Sequence, residues 1–300
     1  PSPELTILMD DLIALLARAQ AQDGYLYSYN QIHFPDTRWA NLQIEHELYC
    51  HGHLIEAGVS HYAATGNNSL LHIARKAADR IVEDFCNAGP QGTDGHEEIE
   101  LALIRLYRLT GEEAYLAQAQ RFIERRGRIR GFAWAIWRQN VHVTERREIV
   151  KELRQAYITG HPEHAIFKLP PGNKSAQPPN SQLRSKLSAL SGKYFQQHTR
   201  FERQTVPVGH AVRFGYLETA AAMLVREAAI LENCPTGEGG SESHPRTAGY
   251  MRAMEKAWER MVTRRMYVTG GLGSQPGLEG FGSDYDLNPE YAYAETCAAL

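Results

Sequence analysis

Two copies of one short unit constrain this chain more than any other feature. Thr65-Gly66 and Thr110-Gly111 lie 45 residues apart. Each closes an apolar stretch of three-and-four periodicity and opens a polar turn before a second stretch, one ending near Phe85 and the other near Arg126. Gly after a periodic run is a helix stop, and the acidic or polar residues behind it start the next helix. A looser third copy runs from Tyr216 through Leu231 and then from Tyr250 to Arg265. Repeated αα-hairpins of this length stack as an open solenoid or close into a ring of helix pairs. Few segments alternate as strands do, so the expected fold is all-α. At the front, Leu8, Leu12, Leu15 and Leu16 have the spacing of one buried helix face, and Asp23-Gly24 is expected to stop that helix.

Bulk properties exclude several classes. With 300 residues, 43% of them hydrophobic, the chain can bury a sizeable core. A formal net charge of −3 argues against nucleic acid and against an acidic membrane surface as partner. No run of about 18 apolar residues is present, so no membrane span is expected. Four cysteines without a Cys-x-x-Cys pair, and no leader pattern after Pro1, point to a reducing, cytoplasmic compartment. Cys86 and Cys234 are expected to be buried thiols. The residues from Gly160 to Ser181, rich in proline, read as a loop or disordered insertion, and Cys234 to Gly249 as a shorter connection. The basic run from Arg125 to Arg130 reads as a solvated helix end.

Two familiar motifs fail. Gly270-Gly-Leu-Gly273 lacks both the spacing and the preceding strand of a dinucleotide loop, and His46-Glu47 has Cys50 where a zinc-protease helix needs a second histidine. His53, His96 and His210 are more informative, because each follows a glycine and opens an apolar helical pattern. In a ring of helix pairs the starts of alternate hairpins gather at one end, where neutral imidazoles can hydrogen-bond sugar hydroxyls. Glu279 sits in the Gly-rich loop Gly277-Leu-Glu-Gly-Phe-Gly282. Glu295 and Cys297, two apart, give a carboxylate and a thiolate, half of a tetrahedral zinc site.

Several segments together resemble the β-L-arabinofuranosidases of glycoside hydrolase family 127. They are Asp23-Gly-Tyr-Leu26, Glu47-Leu-Tyr-Cys50 with Gly52-His-Leu-Ile-Glu56, His96-Glu-Glu-Ile-Glu-Leu101, Val208-Gly-His-Ala-Val-Arg213, Tyr267-Val-Thr-Gly-Gly-Leu-Gly273, Tyr285-Asp-Leu287 and Ala292-Tyr-Ala-Glu-Thr-Cys-Ala298. The resemblance implies that residues 1–300 are part of an (α/α)6 barrel. It also implies a retaining glycosidase acting on arabinose-containing oligosaccharides or glycoconjugates, with a zinc-bound cysteine thiolate as nucleophile. Glu279 would be the general acid/base, His53, His96 and His210 would line the sugar pocket, and Glu295 and Cys297 would be zinc ligands. Homo-oligomerisation is left open.

The sequence departs from the family in three places. The family's nucleophile lies in a two-cysteine segment that does not occur before Leu300, so the chain alone is expected to be inactive. Leu287-Asn-Pro289 stands where the family has Leu-Pro-Asn. The stretch from about Arg128 to Leu190 is longer than the family's connection and unlike it. Other readings of the same residues are a metal-independent sugar epimerase on a similar ring, a non-catalytic carbohydrate-binding relic, and a helical-repeat interaction module.

Overall fold

The computed structural model describes residues 2–161, 181–232 and 245–287. Ten α-helices carry them: α1 (Pro3–Ala19), α2 (Ser28–His33), α3 (Glu47–Thr65), α4 (Ser69–Phe85), α5 (Ile99–Thr110), α6 (Glu113–Arg125), α7 (Phe132–Gly160), α8 (Ser181–Leu190), α9 (Ala211–Glu232) and α10 (Pro245–Arg264). Pairing outside helices is limited, among the described residues, to isolated bridges such as His210 with Gly280. The fold is all-α, as the hairpin repeat requires.

Both expected Thr-Gly turns are observed. Gly66 and Gly111 cap α3 and α5 at φ 72° and 73°, their amides donating to the carbonyls of Tyr62 and Tyr107 at 2.8 and 2.7 Å. A Cβ at either position would meet nothing within 4 Å, so the left-handed backbone alone calls for glycine. The third copy is α9 and α10, and α10 opens on Pro245, a residue that suits the first helical turn. It therefore takes over part of the expected Cys234–Gly249 connection, whose residues 234–244 lie outside the described residues, as do 162–180 of the expected insertion.

Helices α3, α5 and α9 lie side by side, α4 and α6 pack behind α3 and α5, and α10 packs on α9. The core between these layers is aliphatic and aromatic: Ile55, Ala78, Ile81, Ile99, Leu103, Ile104, Phe122, Leu217 and Leu224 are all buried in one cluster. Each such side chain contributes about 1.5–3 kcal/mol by leaving water. The first helices of the three hairpins thus form one layer and their partners a second.

Three sequence expectations need correction. Helix α1 ends at Ala19, four residues before Asp23, and Leu8, Leu12 and Leu15 are exposed. It meets the body through Ile13 and Leu16, against Leu70, Ile73 and Leu54, so the buried face is rotated from the expected one. Cys86 is only partly buried. Arg125 and Arg126 are buried rather than solvated, because carboxyl and carbonyl oxygens from residues 85–100 close around them.

The stretch after Arg128 contains a 29-residue helix, α7, with α8 packed on it. It braces the segment leading into α3. Buried Arg146 donates to Glu45 Oε2 at 2.8 Å and to Asn30, and its guanidinium lies 4.1 Å from the centre of the Phe34 ring. Gln139 accepts from the Gln43 amide at 2.9 Å, and His142 Nδ1 lies 3.0 Å from Asn41 Oδ1.

Candidate active site

The starts of α3, α5 and α9 gather at one end of the array, and the histidines gather with them. Rings of His96 and His210 lie 5.5 Å apart, as do those of His46 and His96. Tyr49 bridges the group, 4.3 Å from His96 and 4.4 Å from His53, while Tyr194 lies 5.6 Å from His210. The three histidines marked in the sequence are thus brought together. One detail differs: His53 sits in the second turn of α3 rather than at its start, and His46 occupies that start.

The glycine before each of these histidines has a packing reason. A Cβ on Gly95 would stand 2.0 Å from the Gln43 carbonyl oxygen, one on Gly52 2.6 Å from Glu98 Cγ, and one on Gly209 2.1 Å from the Lys193 carbonyl oxygen. Each histidine is therefore set by direct contact between chain segments, closer than any other residue allows.

Glu279 meets the histidine cluster through a backbone junction. The amide of Ala211 donates to the Glu279 carbonyl at 3.0 Å, and that of Phe281 donates to the Gly209 carbonyl at 2.9 Å. Glu279 holds φ at 49°, in the left-handed region, and half of its side chain is exposed. Its Oε2 lies 3.0 Å from His210 Nε2. The amide of Val212 donates to His210 Nδ1 at 3.2 Å. That bond makes Nδ1 an acceptor and assigns the proton of the neutral ring to Nε2, facing Glu279.

Electrostatics keep the imidazoles uncharged. Burial, then the Arg213 cation, pushes His210 down to about 3 and His96 down to about 2. Arg213 is itself buried, sandwiched 4.4 and 4.7 Å from the Tyr194 and Phe195 ring centres. Burial also lowers His53 and, together with Glu56, lifts Glu98 to about 8. Their 3.3 Å contact between Nδ1 and Oε1 is therefore a pairing of neutral groups at pH 7.

Under His96 lies a fully buried ion cluster. Arg126 donates to the Asp94 carbonyl at 2.7 Å, to the Asp94 carboxylate and to Glu100 Oε1 at 2.7 Å. Glu97 Oε1 is 3.0 Å from the same guanidinium but off the hydrogen-bonding direction. Burial raises Asp94 well above the usual carboxylate range and Glu97 to about 7, against the pull of Arg126. The cluster fixes both ends of the short segment that carries His96.

Sequence reasoning missed His46, Tyr49, Glu98, Tyr194 and Arg213 as members of this site. Positions 46, 49 and 53 fall on one helical face, a signal that was available. Glu295 and Cys297 lie outside the described residues. Among the described residues no group of three His, Cys, Asp or Glu side chains is placed to hold a metal ion.

The family profile of the β-L-arabinofuranosidase GH127 catalytic domain matches residues 1–300. A non-reducing end β-L-arabinofuranosidase of Bifidobacterium longum is 35% identical over all of this chain and 38% of its own length. The crystal structure of a GH127 β-L-arabinofuranosidase from Geobacillus stearothermophilus T6 superposes with a TM-score of 0.71 at 37% identity, over 99% of this chain and 38% of that one. A second solved GH127 β-arabinofuranosidase gives 0.68 at 28% identity, over 99% and 37% of the two chains. The fold and these matches place the chain among glycoside hydrolase catalytic domains. It belongs to glycoside hydrolase family 127, the β-L-arabinofuranosidase family, and spans a little over a third of the length of these relatives.

Proposed function

We propose that this chain contributes the sugar pocket and the acid/base carboxyl of a retaining β-L-arabinofuranosidase. The observation that carries the reading is the contact of Glu279 Oε2 with His210 Nε2 at the rim of a cluster of uncharged histidines. Neutral imidazoles and the Tyr49 and Tyr194 hydroxyls offer both donors and acceptors, which matches a polyhydroxyl ligand without net charge. The protonated Glu279 carboxyl delivers its proton to the departing glycosidic oxygen. The resulting carboxylate then takes a proton from the water that completes hydrolysis. Throughout, the Nε2–H of His210 donates to Glu279 Oε2 and holds that oxygen in one place, while His53 and His96 take sugar hydroxyls.

Zinc enters through the family. Glu295 and Cys297 would supply a carboxylate and a thiolate, two of the four donors of a tetrahedral site. With zinc bound there, a thiol would be deprotonated at neutral pH and available as the nucleophile. The natural substrate class is an arabinose-containing oligosaccharide or glycoconjugate.

The test is release of L-arabinose from an aryl β-L-arabinofuranoside by the intact gene product with zinc. Turnover that drops at least about a hundredfold in Glu279→Gln, in line with the worth of general acid/base catalysis, supports the reading. Turnover indifferent to both Glu279→Gln and Cys297→Ser refutes it, and sugar epimerisation without zinc would establish a different enzyme.

A further inference from the structure

A cavity of about 390 Å³ lies behind the Glu279 loop and has no part in the chemistry above. Its walls carry Arg184 and Ser188 from α8, Lys193 from the following turn, Arg265 just after α10, and Gln275 and Ser283 from either side of the loop. Gly209 and Leu278 also line it, the chain neighbours of His210 and Glu279. A group seated there is therefore one residue away from the acid/base pair on two separate segments.

The charge in this cavity is lopsided. Asp284 is taken up by Arg260, Arg264 and Arg265, at 2.7 to 3.2 Å. Asp286 accepts from Gln275 Nε2 at 2.7 Å. Among the described residues no carboxylate pairs with Arg184 or Lys193, although both side chains border the opening. Two cations beside the Ser188 and Ser283 hydroxyls suit an anion, and a guanidinium's fork matches the planar carboxylate that a sugar acid carries as well as it matches a phosphate.

We propose that the cavity is an aglycone subsite for a carboxylate-bearing sugar, a hexuronate attached to the unit that is released. Its orientation rests on the glycosidase reading, because the leaving group must depart past Glu279. The presence of a uronate site does not.

Calorimetric titration of the intact chain with digalacturonate tests this, beside its neutral counterpart galactobiose, sodium sulfate, and a β-L-arabinofuranoside. The acidic disaccharide should bind, weaken as salt is raised, and lose about tenfold in the double variant Arg184→Gln/Lys193→Gln, with loss of one or two charge-assisted bonds. Both side chains are exposed, so the variant keeps the fold. Equal affinity for galactobiose, an unaffected double variant, or sulfate competing as well as the sugar acid would each overturn the proposal, even with arabinofuranoside binding intact. Loss of arabinofuranoside binding alone, with digalacturonate still bound, would overturn the arabinofuranosidase reading and leave the uronate site standing.

Discussion

Replacing Arg126 by methionine removes the only guanidinium that hydrogen-bonds the buried carboxyl groups of Asp94 and Glu100 among the described residues, and the nearest cation to Glu97. All four side chains are essentially unexposed, so water cannot take over its role. At pH 8 the carboxyl groups must either stay charged without compensation or take up protons from a dilute supply, a loss of about 3–5 kcal/mol. For a domain of this size each kcal/mol moves the unfolding midpoint by roughly 2–4 °C, so the drop should be roughly 6–20 °C. At pH 5 the result should be different. Asp94 and Glu97 already have raised folded-state values, and without the cation those values rise further. A carboxyl with a raised folded value stabilises the fold below its unfolded value and loses that contribution as pH climbs through the folded one. The variant should therefore carry less unpaired charge at pH 5 than at pH 8 and lose mainly hydrogen bonds, about 2 kcal/mol. Calorimetric unfolding of both proteins at the two pH values measures the difference directly. A drop of equal size at pH 5 and pH 8 would refute the electrostatic account and leave packing as the cause.

Four further outcomes follow from the same geometry. His210→Phe keeps the ring but removes the Nε2–H donor to Glu279, and should lower kcat at least about tenfold with a smaller change in KM. Gly280→Ala places a Cβ 1.9 Å from the Gly209 carbonyl oxygen, so it should separate Glu279 from His210 and lower kcat while much of the fold, read by circular dichroism, persists. Between pH 8 and pH 5, His96 and His210 should add nothing to the pH dependence of arabinoside affinity, because both titrate far below that range; a transition near pH 6.5 that disappears in His96→Asn or His210→Asn would contradict the burial of these rings. Glu98, lifted to about 8, loses its stabilising contribution as pH rises from 4.5 through that value, so Glu98→Gln should flatten the fall of Tm between pH 6.5 and 8.

What could be read in the sequence was local. The Thr-Gly caps and the three-and-four periodicity of α3 to α6 depend on residues within one turn of each other, and they emerged at the expected places. The Gly-His pairs were also visible, but their cause was not: each glycine answers to a segment far along the chain, such as Gln43 for Gly95. Arg126 shows the same limit, since its partners Asp94 and Glu100 lie 32 and 26 positions away. Helix α7 was hidden for another reason. Its apolar residues are spread around the axis, with Phe132, Ile136 and Val143 buried but Trp134, Trp137, Val141 and Ile149 exposed, so no single stripe announces it.

The junction between Gly209 and Gly280 also bears on how the site comes into being. His210 and Glu279 are 69 positions apart, whereas His46, Tyr49, His53 and His96 are all made within the first third of the chain. On a ribosome adding roughly 5–20 residues per second, roughly 3–14 s pass between the emergence of the two partners. Through that interval the histidine cluster has no Glu279 carboxyl beside it. The contact of His210 with Glu279 is therefore completed late, when one short glycine loop docks, so under the proposed function mutations in that loop should impair activity far more than they impair yield.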